Sequence, residues 1–125
     1  MPFPIVYGVP RSDLKVLRVL RQEIIDAVAE AMGIKPSMVR PFFPMDLVGD
    51  PDPGQDTTIF IELKTGMFGG DKRDLVTMRK VTYELARVVW RYFNGQYEVE
   101  VFIGDLDGET KTLIKPATGQ RTLGV

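Results

Sequence analysis

The sequence predicts a two-layer α/β sandwich of the α+β kind. Tandem βαβ units form a four-stranded mixed sheet with two helices on one face and a C-terminal hairpin beyond it. Three observations lead there. Short apolar or alternating runs recur at residues 3–7, 58–64 and 97–103, the pattern of strands. Two longer stretches between them repeat apolar residues at helical spacing. A Gly/Asp/Pro cluster at 49–54 then separates two halves that share one element order. With 125 residues, 44% of them hydrophobic, the chain can bury one sizeable core and is too short for two ordinary domains.

Phe3-Pro4-Ile5-Val6-Tyr7 is short and apolar and stops at Gly8, which predicts a strand. Pro4 has no N–H, so the strand is expected at an edge or with that position turned from its partner. Ser12 stands where an N-cap belongs, with Asp13 in the first helical turn. Leu14, Leu17, Leu20, Ile24, Val28 and Met32 then mark the first helix, and Gly33 offers a left-handed stop. Residues 38–48 return to extended character, made irregular by Pro41 and Pro44.

The second half repeats the order. Ile59, Ile61 and Leu63 fall on one face of a strand, and Phe60, Glu62 and Lys64 on the other. A glycine-rich link leads to Asp71, which with Asp74 approximates a capping box. Leu75, Met78, Leu85, Val88, Val89, Tyr92 and Phe93 mark the second helix, closed by Asn94-Gly95. Alternation returns over 97–103, and Asp107-Gly108 predicts a hairpin whose return strand spans 110–115. The single domain thus divides into a βαβ unit at 1–48, a loop at 49–56, a second unit at 57–104 and a hairpin or tail at 105–125. Each crossover is expected to be right-handed, with parallel strands inside each unit.

Composition excludes several classes of function. Sixteen basic and 17 acidic residues leave a net charge of −1, without the basic field of a nucleic-acid binder. The chain has no cysteine and no histidine, which removes disulfides, Cys/His metal sites, thiol nucleophiles and imidazole acid–base chemistry. No metal and no cofactor are expected. Asp50, Asp52 and Asp56 lack the spacing of an EF-hand and read as a solvated loop. The link at 66–70 lacks the Lys-Ser/Thr of a phosphate loop and reads as a connector. No apolar run reaches the roughly 18 residues of a spanning helix, and no basic stretch precedes an apolar one at the start. The expectation is a soluble, cytoplasmic protein with no membrane partner.

Chemistry is left to carboxylates, Lys, Arg, Tyr, hydroxyls, backbone groups and an amino terminus. Pro2 is the first candidate. Trimming of Met1 would leave a secondary amine, and desolvation or a nearby cation would lower its pKa toward neutrality, making it a base or nucleophile. Met-Pro is also an ordinary start. Arg11 follows the first strand and Arg40 lies in the second, so a right-handed crossover brings both toward one end of the sheet. Two guanidinium groups can grip a carboxylate and stabilise an enolate oxygen. Each can equally be a surface arginine.

Together these residues carry a resemblance. A proline at position two opening a strand, Gly8-Val9-Pro10-Arg11-Ser12-Asp13 entering an amphipathic helix, and Lys35-Pro36-Ser37-Met38-Val39-Arg40 opening the next strand resemble the tautomerase superfamily. That superfamily includes 4-oxalocrotonate tautomerase and macrophage migration inhibitory factor. The motifs span residues 2–45, and beyond them the second βαβ order and the total length agree with the longer, fused members. The resemblance implies a homotrimer whose active sites surround the amino-terminal proline and act on a small carboxylate substrate, a 2-oxo acid or its enol. It implies Pro2 as the base, Arg40 at the carbonyl or enol oxygen and Arg11 on a distal carboxylate. Pro41 directly after Arg40, and a spacing from Pro2 to Arg11 one residue shorter than in the best-known short member, depart from the pattern.

The helices are expected to cover the face of Ile59, Ile61, Leu63, Val99, Val101 and Ile103. The opposite face then shows Phe60, Glu62, Lys64, Glu98, Glu100 and Phe102, a mixed surface that oligomerisation would cover. Phe60 and Phe102 are the aromatic candidates for substrate binding. Glu98 and Glu100 are expected to form a salt-bridged wall with Lys64, and Tyr83 and Trp90 to be core or interface residues. Two other readings share the element order. One is a catalytically silent oligomer acting as a binding or scaffold protein; the other is a ferredoxin-like regulatory domain for a small ligand.

Overall fold

The computed structural model describes residues 1–10, 13–44, 58–105, 112 and 114. Strand β1 is Phe3–Tyr7, helix α1 Leu14–Met32, strand β2 Thr58–Thr65, helix α2 Leu75–Tyr92 and strand β3 Glu98–Asp105. Single 3-10 turns lie at Pro36–Met38 and Gly70–Lys72. The sheet order is β1-β2-β3, with β1 antiparallel to β2 and β2 parallel to β3. The two-layer α/β architecture with its helices on one face is as expected, and β2, α2 and β3 form a βαβ unit with parallel strands.

The sheet has three strands, which corrects the expected four. The segment after α1 does run parallel to β1, but only one bridge forms, between Ile5 and Phe42. Phe42 N–H donates to the Pro4 carbonyl at 2.8 Å, Val6 N–H donates to the Phe42 carbonyl at 2.8 Å, and Arg40 N–H donates to the Pro2 carbonyl at 3.1 Å. Prolines stop the ladder on both sides. Continuing it toward Arg40 needs an N–H at Pro4, and continuing it past Phe42 needs one at Pro44; neither residue has one. Pro4 itself is turned from β2, because its carbonyl and the Val6 N–H both point to Phe42.

Helix α1 starts one residue later than expected. Asp13, not Ser12, is the N-cap, its carboxylate accepting from Lys15 N–H at 3.1 Å. Gly33 closes the helix at φ 67°, the left-handed stop anticipated, with Ile34 N–H returning to the Ala29 carbonyl at 3.0 Å. Helix α2 is capped by Asp74, not by an Asp71 box. The Asp74 carboxylate accepts from Thr77 N–H at 3.2 Å and Thr77 Oγ1 at 2.6 Å. The hydroxyl bond above all, then the amide bond, holds this carboxyl below the ordinary aspartate range. Asn94 and Gly95, at φ 57° and 70°, turn the chain toward β3. The Ser12 position, Asp50, Asp52 and Asp56, and the hairpin expected at Asp107-Gly108 lie outside the described residues.

The core lies between the helices and the inward rows of the sheet. Val6 of β1 and Ile59, Ile61 and Leu63 of β2 are fully buried against Leu20, Ile24 and Val28 of α1 and Val81, Leu85 and Val89 of α2. The helices are antiparallel neighbours, since Tyr92 at the end of α2 donates its hydroxyl to the Val16 carbonyl at the start of α1, at 2.8 Å. Desolvation, with a smaller contribution from the nearby Glu23 carboxylate, raises the Tyr92 pKa above its ordinary value of 10.0. Because the folded value is the higher one, its contribution to stability is complete below pH 10 and is lost as pH rises through the folded value. Tyr92→Phe is therefore expected to cost about 1 kcal/mol near neutrality. It is also expected to flatten the loss of stability above pH 10, as read from urea midpoints measured against pH.

Candidate functional site

Pro2 stands one residue before β1 and continues its inward-facing row with Pro4 and Val6. Its ring is fully buried, while Met1 ahead of it is 51% exposed. The Val39 side chain is buried and sets the parity of the returning segment, so Arg40 beside it is turned outward and exposed. The backbones of the two candidates are adjacent, joined by the 3.1 Å hydrogen bond from Arg40 N–H to the Pro2 carbonyl, while their side chains turn to opposite faces, Pro2 inward and Arg40 outward. That adjacency follows from a crossover that returns the chain parallel to its first strand. Among the described residues no carboxylate lies within ion-pairing distance of the Arg40 guanidinium. Its charge is thus not neutralised by any described side chain. Arg11 lies outside the described residues.

The remaining candidates lie on the other face. Phe60 is 41% and Phe102 46% exposed on the uncovered side of the sheet. The register sets Phe60 between Tyr7 and Glu100, and Glu62 between Ile5 and Phe102. Five rows along β2 separate the level of Phe60 from that of Thr65 beside Pro2, about 17 Å at strand rise. Phe102 lies three rows from that level and two strands from β1, and both aromatics are on the face opposite Pro2, so within one chain Phe60 and Phe102 do not adjoin it. A site using all of them needs residues from more than one copy.

Phe3, Ile5, Tyr7 and Phe42 belong to the same uncovered face, and sequence reading left them out. Phe3 and Phe42 have ring centroids 6.0 Å apart, next to Arg40 along the chain. Period-two counting from the buried Val6 would have placed Phe3, Ile5 and Tyr7 there. Phe42 was hidden by its flanking prolines. The charges of this face pair differently from expectation. Lys64 Nζ lies 4.0 Å from Glu62 Oε1, and Glu98 accepts from Thr58 Oγ1 at 3.3 Å, so the described ion pairs include no wall from Lys64 to Glu98 or Glu100.

Two grooves lie elsewhere, and neither is lined by Pro2, Arg40, Phe60 or Phe102. One, of about 510 Å³, runs between the outer faces of α1 and α2. The other, of about 390 Å³, is flanked by Tyr83 and Trp90, which are 65% and 51% exposed. Those two residues are thus surface and not core. Among the described residues no group of three or more Asp or Glu side chains could hold a metal ion, and no helix is long and apolar enough to cross a membrane.

The two-layer arrangement, an antiparallel β1–β2 pair flanked by parallel partners, is a fold shared with solved 4-OT and macrophage migration inhibitory factor structures. Solved structures with this fold include a wild-type fused 4-OT in an asymmetric trimer, 17% identical over 83% of this chain and 85% of that one, with a TM-score of 0.66. They also include macrophage migration inhibitory factor of Toxoplasma gondii, 13% identical over 89% and 95% at a TM-score of 0.67. A third is Pt0534 inactivated by 2-oxo-3-pentynoate, 14% identical over 94% and 93% at 0.68. No protein-family model matches the sequence, and no curated protein matches it either.

Proposed function

We propose that this chain is a cofactor-independent tautomerase-superfamily enzyme acting on a small 2-oxo acid, with Pro2 as its base once Met1 is removed. The observation that carries the proposal is the backbone adjacency of a fully buried Pro2 and an outward Arg40 that no described carboxylate pairs with, on this fold. A buried secondary amine loses hydration of its charged form, so its pKa falls and more of it is neutral near pH 7. The neutral amine takes a proton from the carbon beside the keto group. Arg40 holds the enolate oxygen as charge develops there, and the resulting ammonium returns the proton to that oxygen, giving the enol, or to the γ-carbon where the acid carries a β,γ-double bond. Arg11 binds the distal carboxylate. Phe60 and Phe102 belong to the pocket through neighbouring copies in a homotrimer, which also covers the aromatic face of the sheet.

The retained Met1 is the opposing case. With it, the Pro2 nitrogen is a tertiary amide, neither base nor nucleophile, and a catalytically silent oligomer is the reading left. Intact mass before and after exposure to 2-oxo-3-pentynoate separates the two. The β-carbon of that alkynyl ketone accepts a neutral amine. The expected result is a chain lighter by one methionine residue that gains the mass of one probe, located on Pro2 by fragmentation. A full-length mass, or a processed chain left unlabelled, overturns the proposal.

A further inference from the structure

We propose that the α1–α2 face is a self-complementary interface between two copies of this chain, held by charge. The groove between the helices has one acidic wall and one basic wall. Glu23, Asp26 and Glu30 line it from α1, and Lys80, Arg87 and Arg91 from α2. Ala27, Ala31 and Val88 form its floor, small side chains that keep the trough open over about 510 Å³. Because the helices are antiparallel, the acids in the order Glu23, Asp26, Glu30 run beside the bases in the order Arg91, Arg87, Lys80.

The walls do not satisfy one another. The ion pairs within 4.0 Å among the described residues are Lys64–Glu62 and Arg87–Glu84, the latter along α2 itself at 3.6 Å. Glu84, which also lines the groove, offsets one charge of the basic wall, and no described carboxylate lies within that distance of Lys80 or Arg91. Three acids and at least two bases thus face outward in separate rows.

Symmetry selects how a second copy fits. A two-fold axis along the groove lays α1 of one copy over α2 of the other, acids over bases in both directions. A two-fold axis across the groove lays α1 over α1, like over like, which costs free energy instead. The first arrangement stacks two helical layers and pairs each acidic row with a basic one. It uses the face opposite the aromatic sheet surface, so it is independent of the proposed activity and of any assembly through the sheet.

The test is light-scattering mass of the full chain at about 0.01 M and 1 M salt, where the screening length falls from about 30 Å to about 3 Å. The expected mass at low salt is at least twice that at high salt, since every copy in an assembly formed through the sheet keeps its own α1–α2 face. Two variants sharpen it. E23K/D26K/E30K makes both walls basic and K80E/R87E/R91E makes both acidic; each alone is expected to stay at the high-salt mass, and their equimolar mixture at low salt to rise to the wild-type low-salt mass. A wild-type mass unchanged by salt overturns the proposal, whatever the variants do. So does a mixture of folded variants no heavier than its components.

Discussion

Arg40→Ala in the Met1-processed protein is expected to lower turnover of an enol acid by about 100-fold, the size of effect seen when one oxyanion donor is lost. The side chain is exposed and makes no described ion pair, so its removal leaves no buried partner unsatisfied. The backbone contact that places it, Arg40 N–H to the Pro2 carbonyl, survives the substitution. The loss should therefore fall on kcat, with unchanged melting temperature and unchanged mass. Arg40→Lys keeps the charge but not the planar fork and should recover part of the rate. Equal turnover by Arg40→Ala and the wild type would remove Arg40 from the mechanism.

Leu85→Ala is expected to be the costliest simple change to stability, about 2–5 kcal/mol, from lost transfer free energy and the cavity left behind. Leu85 is fully buried at the centre of the inward face of α2, in one cluster with Ile24, Ile61 and Leu63. Its neighbours come from α1, α2 and β2, so no single element can move in to fill the space. The measurement is a urea midpoint with an unchanged slope. By contrast Leu75, on the same helix but 45% exposed, should tolerate alanine with less than about 0.5 kcal/mol of loss. Similar costs at the two positions would mean that α2 packs with a different face.

The elements built on simple periodicity were legible. Ile59, Ile61 and Leu63 alternate with polar or aromatic residues, and each is fully buried while Phe60 is not. Leu20, Ile24 and Val28 recur at helical spacing, and all three face the core. Local hydrogen bonding was read less well. Ser12 and Asp13 are both good capping residues, as are Asp71 and Asp74, and composition alone does not choose between neighbours. The carboxylate that meets a free amide chooses, at Lys15 for Asp13 and at Thr77 for Asp74.

The candidate site divides along the same line. Residue type and motif name Pro2 and Arg40 as candidates, and the crossover argument sets Arg40 beside Arg11, which lies outside the described residues. The hydrogen-bonded adjacency of Pro2 and Arg40 depends on register, which no run of residues prints. Phe60 and Phe102 were named for being aromatic among charges, and nothing local said that they lie on the face opposite Pro2. The opposed charges of α1 and α2 were present in the sequence as ordinary solvated faces. They became two walls of one groove only when the helices packed antiparallel.

What the sequence determined by itself was the identity of β1, α1, β2, α2 and β3, the inward face of each and the absence of thiol and imidazole side chains. Those depend on side-chain type and spacing within a few residues. The tertiary structure decided which strand partners which, and it reduced the fourth strand to one bridge. A ladder needs an N–H from both chains at matching positions, and only the register brings the missing donors of Pro4 and Pro44 to the two flanks of the Ile5–Phe42 bridge.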